Sequence, residues 1–422
     1  MSELPLAGTA DPVSRYVTVR AASTALTAPL SPEDATAQSM TEASPAKWHL
    51  AHTTWFFETL VLEALPDFEP FHADFRVLFN SYYNSVGEQY CRPERGLVTR
   101  PGLEEVHAYR AHVDAAMVRV LEAGDLDAAA LGIVELGLHH EQQHQELTLT
   151  DLKHLFSYNP TYPAYREDCE EAPVARVLPM GWHGLAGGTH EIGHRGPGFA
   201  FDNEGPRHSV MLRDAELGTR LVTNGEYLDF IEDGGYEQPE WWLSDGWSTA
   251  REKSWTTPLY WHEIDGSWQV QSLGGLRALR LDEPVAHVSA YEADAYARWA
   301  GARLPTEAEW EVVAADQTLK GNFVENERFH PAPAPTGEPA DGPRQLFGDT
   351  WEWTQSNYSP YPGFRPASGP PGEYNGKFMI NQLVLRGGSC ATPNNHIRAT
   401  YRNFFYPEAR WQFSGIRLAR DA

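Results

Sequence analysis

The sequence predicts an α+β chain of two domains, a four-helix bundle over residues 1–160 and a loop-heavy α+β domain over residues 181–422, with a linker over 161–180 between them. Three observations lead there. A chain of 422 residues is too long for one ordinary hydrophobic core. Apolar residues recur at helical spacing in the first part, whereas Gly, Trp and Pro interrupt short β-like runs in the rest. The composition is 41% hydrophobic and 12% aromatic, with 14 Trp, far above what a disordered chain carries.

In chain order, the first helix runs from Pro12 to about Leu26, and the second follows Ser44-Pro45 and covers Ala46 to about Ala64. The third, Leu103 to Ala123, lines up Leu103, Val106, Val113, Met117 and Val120. The fourth begins after the Gly124-Asp125 break and ends near Phe156, with a stripe of Ile133, Leu136, His140, His144, Leu147, Asp151 and Leu155. Four such helices with one long connection over residues 65–102 suit a four-helix bundle. Tyr158 to Val177, rich in Pro, Tyr and acid, reads as linker. Beyond it, Thr189–Gly193, Ser209–Leu212 and Leu383–Leu385 read as strands. Helices are few: Ser289 to Ala300, and Thr306 to Ala315 with its Thr306-x-x-Glu309 capping pattern. Asp316 to Arg344 reads as irregular, and no internal repeat is present.

The charge balance, 33 Lys+Arg against 58 Asp+Glu for a net −25, disfavours general nucleic-acid or anionic-membrane binding. No stretch approaches the apolar length of a membrane span, and Met1 to Ser14 has neither a basic leader nor a signal-length apolar run. The expectation is a cytoplasmic protein whose oligomeric state the sequence leaves open. Cys91, Cys169 and Cys390 form neither a disulfide framework nor a CxxC pair. With 17 His available, a metal site would be built from imidazole and carboxylate.

The strongest local feature is Leu138-His139-His140-Glu141-Gln142-Gln143-His144-Gln145-Glu146. His140 and His144 are four apart, so they share one helix face and can share one ion. They fall in the apolar stripe, where burying so many polar groups without a charge to organise them is expensive. His140-Glu141-x-x-His144 also fits the HExxH pattern of zinc metalloproteases, in which the Glu is the general base. His154 and Glu167 are poorly placed as its third ligand. His49 and His52 in the second helix offer another, and His52 shares an inward face with Trp55 and Phe56. Three neutral imidazoles leave a divalent ion its full charge and open positions, which suits Fe(II) with oxygen and a thiolate; zinc would bind the same ligands without redox chemistry.

Trp48-His49-Leu50-Ala51-His52 together with His140-x-x-x-His144-x-Glu146 resembles the bundle of the DinB-like thiol-handling superfamily. Later motifs resemble the formylglycine-generating-enzyme/C-type-lectin-like fold: Gly187-Gly188-Thr189-His190-Glu191-Ile192-Gly193, Thr223-Asn224-Gly225-Glu226-Tyr227, Ala302-Arg303-Leu304-Pro305-Thr306-Glu307-Ala308-Glu309-Trp310-Glu311, Gly348-Asp349-Thr350-Trp351-Glu352-Trp353-Thr354, Arg386-Gly387-Gly388-Ser389 and Phe413-Ser414-Gly415-Ile416-Arg417. The ordered set resembles the ergothioneine-biosynthesis sulfoxide synthases of the EgtB type. Those are non-haem iron enzymes that use O2 to join sulfur to the imidazole C2 of hercynine, the trimethylated histidine, and oxidise the product to a sulfoxide. Formylglycine generation needs a late cysteine pair, and only Cys390 is there.

The resemblance implies His52, His140 and His144 as Fe(II) ligands, with His49 supporting them or structural, Glu146 supporting them, and Glu141 either supporting them or on an exposed charged face. It places Gln143, Asn403 and Phe404 against hercynine, with Tyr374 a weaker candidate, since a trimethylammonium is held by aromatic faces and amide oxygens. An acidic residue of the actinobacterial branch is replaced by Phe405, and a tyrosine of that branch near Pro371 is not matched. This departure points to the branch using free cysteine rather than γ-glutamylcysteine, with Tyr82 and Tyr83 as the catalytic phenols. Arg92 and Arg95 on the same connection are forks for a substrate carboxylate. Cys91 beside them leaves open a selenoneine synthase paralogue that takes selenium from a selenosugar. Two further readings stay compatible with these motifs: a zinc metallohydrolase built on the HExxH pair, and a non-enzymatic lectin-like binding protein.

Overall fold

The computed structural model describes residues 11–336 and 342–422, which form two compact units. The first comprises the described residues up to Thr161 together with Pro197–Phe199 and Pro366–Gly376. Its helices are α1 (Pro12–Thr27), α2 (Ala46–Leu60), the single turn α3 (Phe75–Leu78), α4 (Leu103–Ala123) and α5 (Ala128–Ser157). Local chemistry sets most of these ends. The Asp11 carboxylate caps α1 by accepting from the Ser14 N–H at 3.2 Å, ahead of Pro12 in the first turn. Gly124, at φ 69°, ends α4 in the left-handed conformation. Asp127 then caps α5 through the Ala130 N–H at 2.8 Å. The second helix is shorter than its pattern predicts: it stops at Leu60, and after Val61 only a 3₁₀ turn, Leu62–Ala64, continues it.

Helix α2 packs on α4 and α5, and α1 packs on α5. The close approach of α2 to α5 depends on Gly137, where an added Cβ would come within 2.6 Å of the Phe57 ring and 2.8 Å of Phe56. Charge also lies in this core. Glu141, with no exposed surface, receives Arg20 Nη1 and Arg110 Nη2, each at 2.8 Å, and the Ser23 hydroxyl at 2.6 Å. These contacts tie α1, α4 and α5 together. Among the described residues no helix is long and apolar enough to cross a membrane.

The second unit comprises Tyr162–Gly196, Ala200–Arg365 and Lys377–Ala422. Its strands are β1 (Trp182–Leu185), β2 (Gly188–Ile192), β3 (His208–Leu212), β4 (Ala215–Gly218), β5 (Trp261–Ile264), β6 (Ser267–Ser272), β7 (Gly275–Ala278), β8 (Trp351–Asn357), β9 (Leu383–Arg386), β10 (Asn403–Phe405), β11 (Ser414–Gly415) and β12 (Ala419–Asp421). They form small sheets in the orders β1-β4-β12, β10-β9-β8-β11, β2-β3 and β5-β6-β7. Among the described residues four short α-helices accompany them: α6 (Asn224–Glu232), α7 (Ser244–Glu252), α8 (Ala290–Trp299) and α9 (Glu307–Ala314). The last two match the pattern, with Ser289 and Thr306 as caps. The first two exceed the expected helix content; α6 opens with a Thr223/Glu226 capping box.

Several motif residues of this unit form buried ion pairs. Glu352 receives Arg417 at 2.7 Å on both oxygens and the Trp310 indole N–H at 2.7 Å. Glu307 receives Arg402 and Arg386 at 2.9–3.0 Å. Such pairs make short strands and long loops agree on one packing. None of the three cysteines is in a disulfide; Cys390 is buried, Cys169 half-buried and Cys91 exposed.

Candidate metal centre

Helix α2 carries His52 between Trp48, four residues before it, and Trp55, three after it. Both indoles stack on the imidazole, with ring centroids at 4.6 and 5.6 Å and interplanar angles of 12° and 14°. His52 Nδ1–H donates to the Phe79 carbonyl at 2.6 Å, so its Nε2 presents a lone pair. That nitrogen lies 3.2 Å from His140 Nε2. The spacing is what two imidazoles, each about 2.1 Å from one ion, would show. His144, one turn along α5, brings its ring centroid to 4.5 Å from that of His140 and 4.8 Å from that of His52. One ligand nitrogen from each of the three lies within 4.8 Å of the others, the one such His/Cys/Asp/Glu grouping among the described residues.

The second layer fixes the third ring. Asp151 Oδ2 is 3.0 Å from His49 Nε2, which places the proton there and leaves His49 Nδ1 an acceptor. His144 Nδ1, 2.7 Å away, donates to it, and His144 Nε2 keeps a lone pair. Asp151 Oδ2 is itself held by the Ser44 N–H at 2.8 Å. Asp151 carried a signal in the sequence, as a carboxylate in an apolar stripe seven residues after His144. Replacing Asp151 by Ala should weaken divalent-metal binding about 10–100-fold; an anaerobic titration with affinity near that of the unaltered protein would dismiss this relay.

Burial holds all three ligand candidates neutral. It pushes His52 and His144 well below the usual imidazole range, with His140 adding to both, and takes His140 down to about 3. Neutral rings are the form that binds a metal. The residues therefore fit a divalent ion: lone pairs converge, protons do not compete, and no carboxylate cancels the charge. His140 Nδ1 is buried without a hydrogen-bond partner among the described residues, so this ring lacks the kind of support given to the other two.

Around the triad, Tyr82 and Tyr83 stack at 4.7 Å, and Tyr83 lies 5.4 Å from Trp55. Burial raises both phenols, Tyr82 to about 12. The Tyr374 ring sits 5.7 Å from His140, and its hydroxyl donates to Gln143 Oε1. Arg95 is 2% exposed, lies 3.5 Å over the Trp48 ring and donates to Ser44 and Ser81 at 3.0 Å. Burial, with Arg92 nearby, pushes it down to about 9, the sign of a cation short of anionic partners. Arg92 is exposed and donates to the Glu42 carbonyl. Asn403 and Phe404 lie on β10 in the second unit, where the Asn403 side-chain oxygen accepts from the Phe404 N–H at 2.9 Å and Phe404 stacks on Tyr358 at 4.0 Å. Glu141, open as either a support for the ligands or an exposed charge, has no exposed surface, and its two oxygens are taken by Arg20, Arg110 and Ser23.

A helical bundle with three converging imidazoles, and a motif-rich α+β unit, define a two-part protein with a candidate metal site. Residues 15–148 match the DinB superfamily, and residues 183–338 and 318–422 match the sulfatase-modifying factor enzyme 1-like domain. The chain is 34% identical to the hercynine oxygenase of Mycolicibacterium thermoresistibile, over 90% of this chain and 87% of that protein. It is 36% identical to that of Mycolicibacterium smegmatis, over 68% and 71%. The formylglycine-generating enzyme of Streptomyces coelicolor is 29% identical over 62% of this chain and 96% of its own. The chain belongs to the hercynine oxygenase family, and is an oxidoreductase of the EgtB type.

Proposed function

We propose that this protein is a non-haem iron enzyme that uses O2 to join the sulfur of a thiol, with cysteine as donor, to the imidazole C2 of hercynine, giving a hercynyl sulfoxide. The convergence of His52, His140 and His144 within 4.8 Å is the observation that carries this reading. The change balances: C–H and S–H bonds are lost, C–S and S–O bonds form, and O2 accepts four electrons, leaving one oxygen on sulfur and one in water. Bound Fe(II) would supply the reduction of O2 and a coordination position for the thiolate, which zinc could match only in the second respect.

The chain's own residues do the rest. The buried Arg95 guanidinium holds the substrate carboxylate, a role its unmet charge supports. Gln143, fixed by Tyr374, meets hercynine, and Tyr82 and Tyr83, kept protonated by burial, hold the proton to be delivered. Asn403 and Phe404 take the trimethylammonium by resemblance to the family. An HExxH hydrolase would lack its general base here, because Glu141 is enclosed and doubly ion-paired.

Anaerobic reconstitution with Fe(II), then hercynine, O2 and a panel of cysteine, γ-glutamylcysteine and a selenosugar, tests the proposal. The expected product with cysteine has the summed substrate mass plus one oxygen less two hydrogens, formed with one O2. Turnover with the selenosugar alone would move the donor to selenium, and peptide hydrolysis without oxygen uptake would remove the oxygenase reading.

A further inference from the structure

The Tyr82–Tyr83 pair sits in a loop that Asn80 closes from inside. Asn80 Nδ2 donates to the carbonyls of Tyr83, Gly87 and Glu88 at 3.1, 3.3 and 3.2 Å, and its Oδ1 accepts from the Tyr83 N–H at 3.1 Å. The next two N–H groups of the loop are taken from outside. Glu373 Oε2 accepts from Asn84 at 3.0 Å and Oε1 from Ser85 at 2.8 Å, across 289 and 288 residues of chain. A carboxylate spanning two consecutive amides is a charge-assisted grip with defined geometry. The following residue reaches the other side: the Tyr374 ring lies 6.4 Å from Tyr82 and 5.7 Å from His140, and its hydroxyl donates to Gln143. All these residues belong to the first unit, to which Pro366–Gly376 contributes.

The geometry points to Glu373 as the residue that positions the Tyr82–Tyr83 phenols for proton delivery at the metal centre. This inference rests on the oxygenase reading. Glu373 acts through the backbone that carries the phenols, at the two amides just after them. Proton transfer depends steeply on such placement, where a shift on the order of 1 Å costs up to about 100-fold in rate.

The test uses full-length, iron-loaded protein with Glu373→Ala, which loses both contacts, and Glu373→Gln, which keeps one oxygen. Amide exchange at Asn84 and Ser85 should quicken about tenfold or more in the Ala variant. Its kcat should fall about tenfold or more while KM and iron affinity stay within about twofold, with Gln intermediate in both. Unchanged exchange in the Ala variant overturns the inference whatever the chemistry, and so does quickened exchange with unchanged kcat. Absence of hercynine-dependent turnover in the unaltered protein instead overturns the oxygenase reading, while the exchange measurement still reports on the grip.

Discussion

Replacing His52 by Phe should abolish tight metal binding while leaving the bundle folded. Phe keeps a flat ring between Trp48 and Trp55, so the stack at 4.6 and 5.6 Å retains its shape and no cavity opens. What it removes is the Nε2 lone pair 3.2 Å from His140 Nε2. A four-ligand zinc site is worth about 10–16 kcal/mol, so one ligand is worth about 3–4 kcal/mol, or about two to three powers of ten in affinity. The Phe79 carbonyl also loses its donor, at a cost of about 1–3 kcal/mol in stability. Anaerobic Fe(II) titration with a thermal melt alongside separates the two effects. A site built on the HExxH pair alone would ignore the change, and metal affinity within about threefold of the unaltered protein would break the triad.

The two parts of that triad differ in how they could be read. His140 and His144 are legible at once, because four residues on a helix is one turn whatever surrounds it. His52 is legible through Trp55 and Phe56, which mark the inward face of α2. What holds the rings is another matter. The Phe79 carbonyl on His52 and the Asp151–His49–His144 chain arise when α2, α5 and the long connection meet, and no spacing encodes a meeting of that kind. Glu373 is the extreme case, since nothing local ties it to Asn84 and Ser85.

The fold divides the same way. Asp11, Gly124, Asp127, Ser289 and Thr306 set helix ends through their own chemistry, and there the pattern and the structure agree. Helices α6 and α7 are nine residues each and include Gly225 and Gly246, too short and too glycine-broken to show a period. Arg92 and Arg95 look equivalent in sequence. Tertiary packing separates them, burying one over Trp48 and leaving the other exposed on the Glu42 carbonyl.

Glu141→Gln should destabilise the bundle by about 3–5 kcal/mol, because it leaves Arg20 and Arg110 buried with one carboxylate fewer between them. The pH dependence carries the same signature. The two guanidiniums, opposing burial, hold Glu141 down at about 2, below its ordinary value of 4.5. Its contribution is therefore fully present above about pH 4.5 and is lost as pH falls toward 2. The buried histidines act in the same direction over a higher window. Their pKa values are lowered in the folded state, so unfolding takes up protons and stability declines as pH drops below 6.5. Urea melts from pH 7 to 3 should show the unaltered protein losing stability first in the histidine window and then in the carboxylate window. In the Gln variant the second loss should shrink by the share of Glu141, while Glu135, Glu204 and Glu307, also held below the usual carboxylate range, keep theirs and the folded fraction still binds metal. A Gln variant as stable as the original at pH 7 would mean that Glu141 does not tie the three helices together. A variant that stays stable but loses hydrolytic activity would return it to the role of a catalytic base, a role that its burial between two guanidiniums argues against.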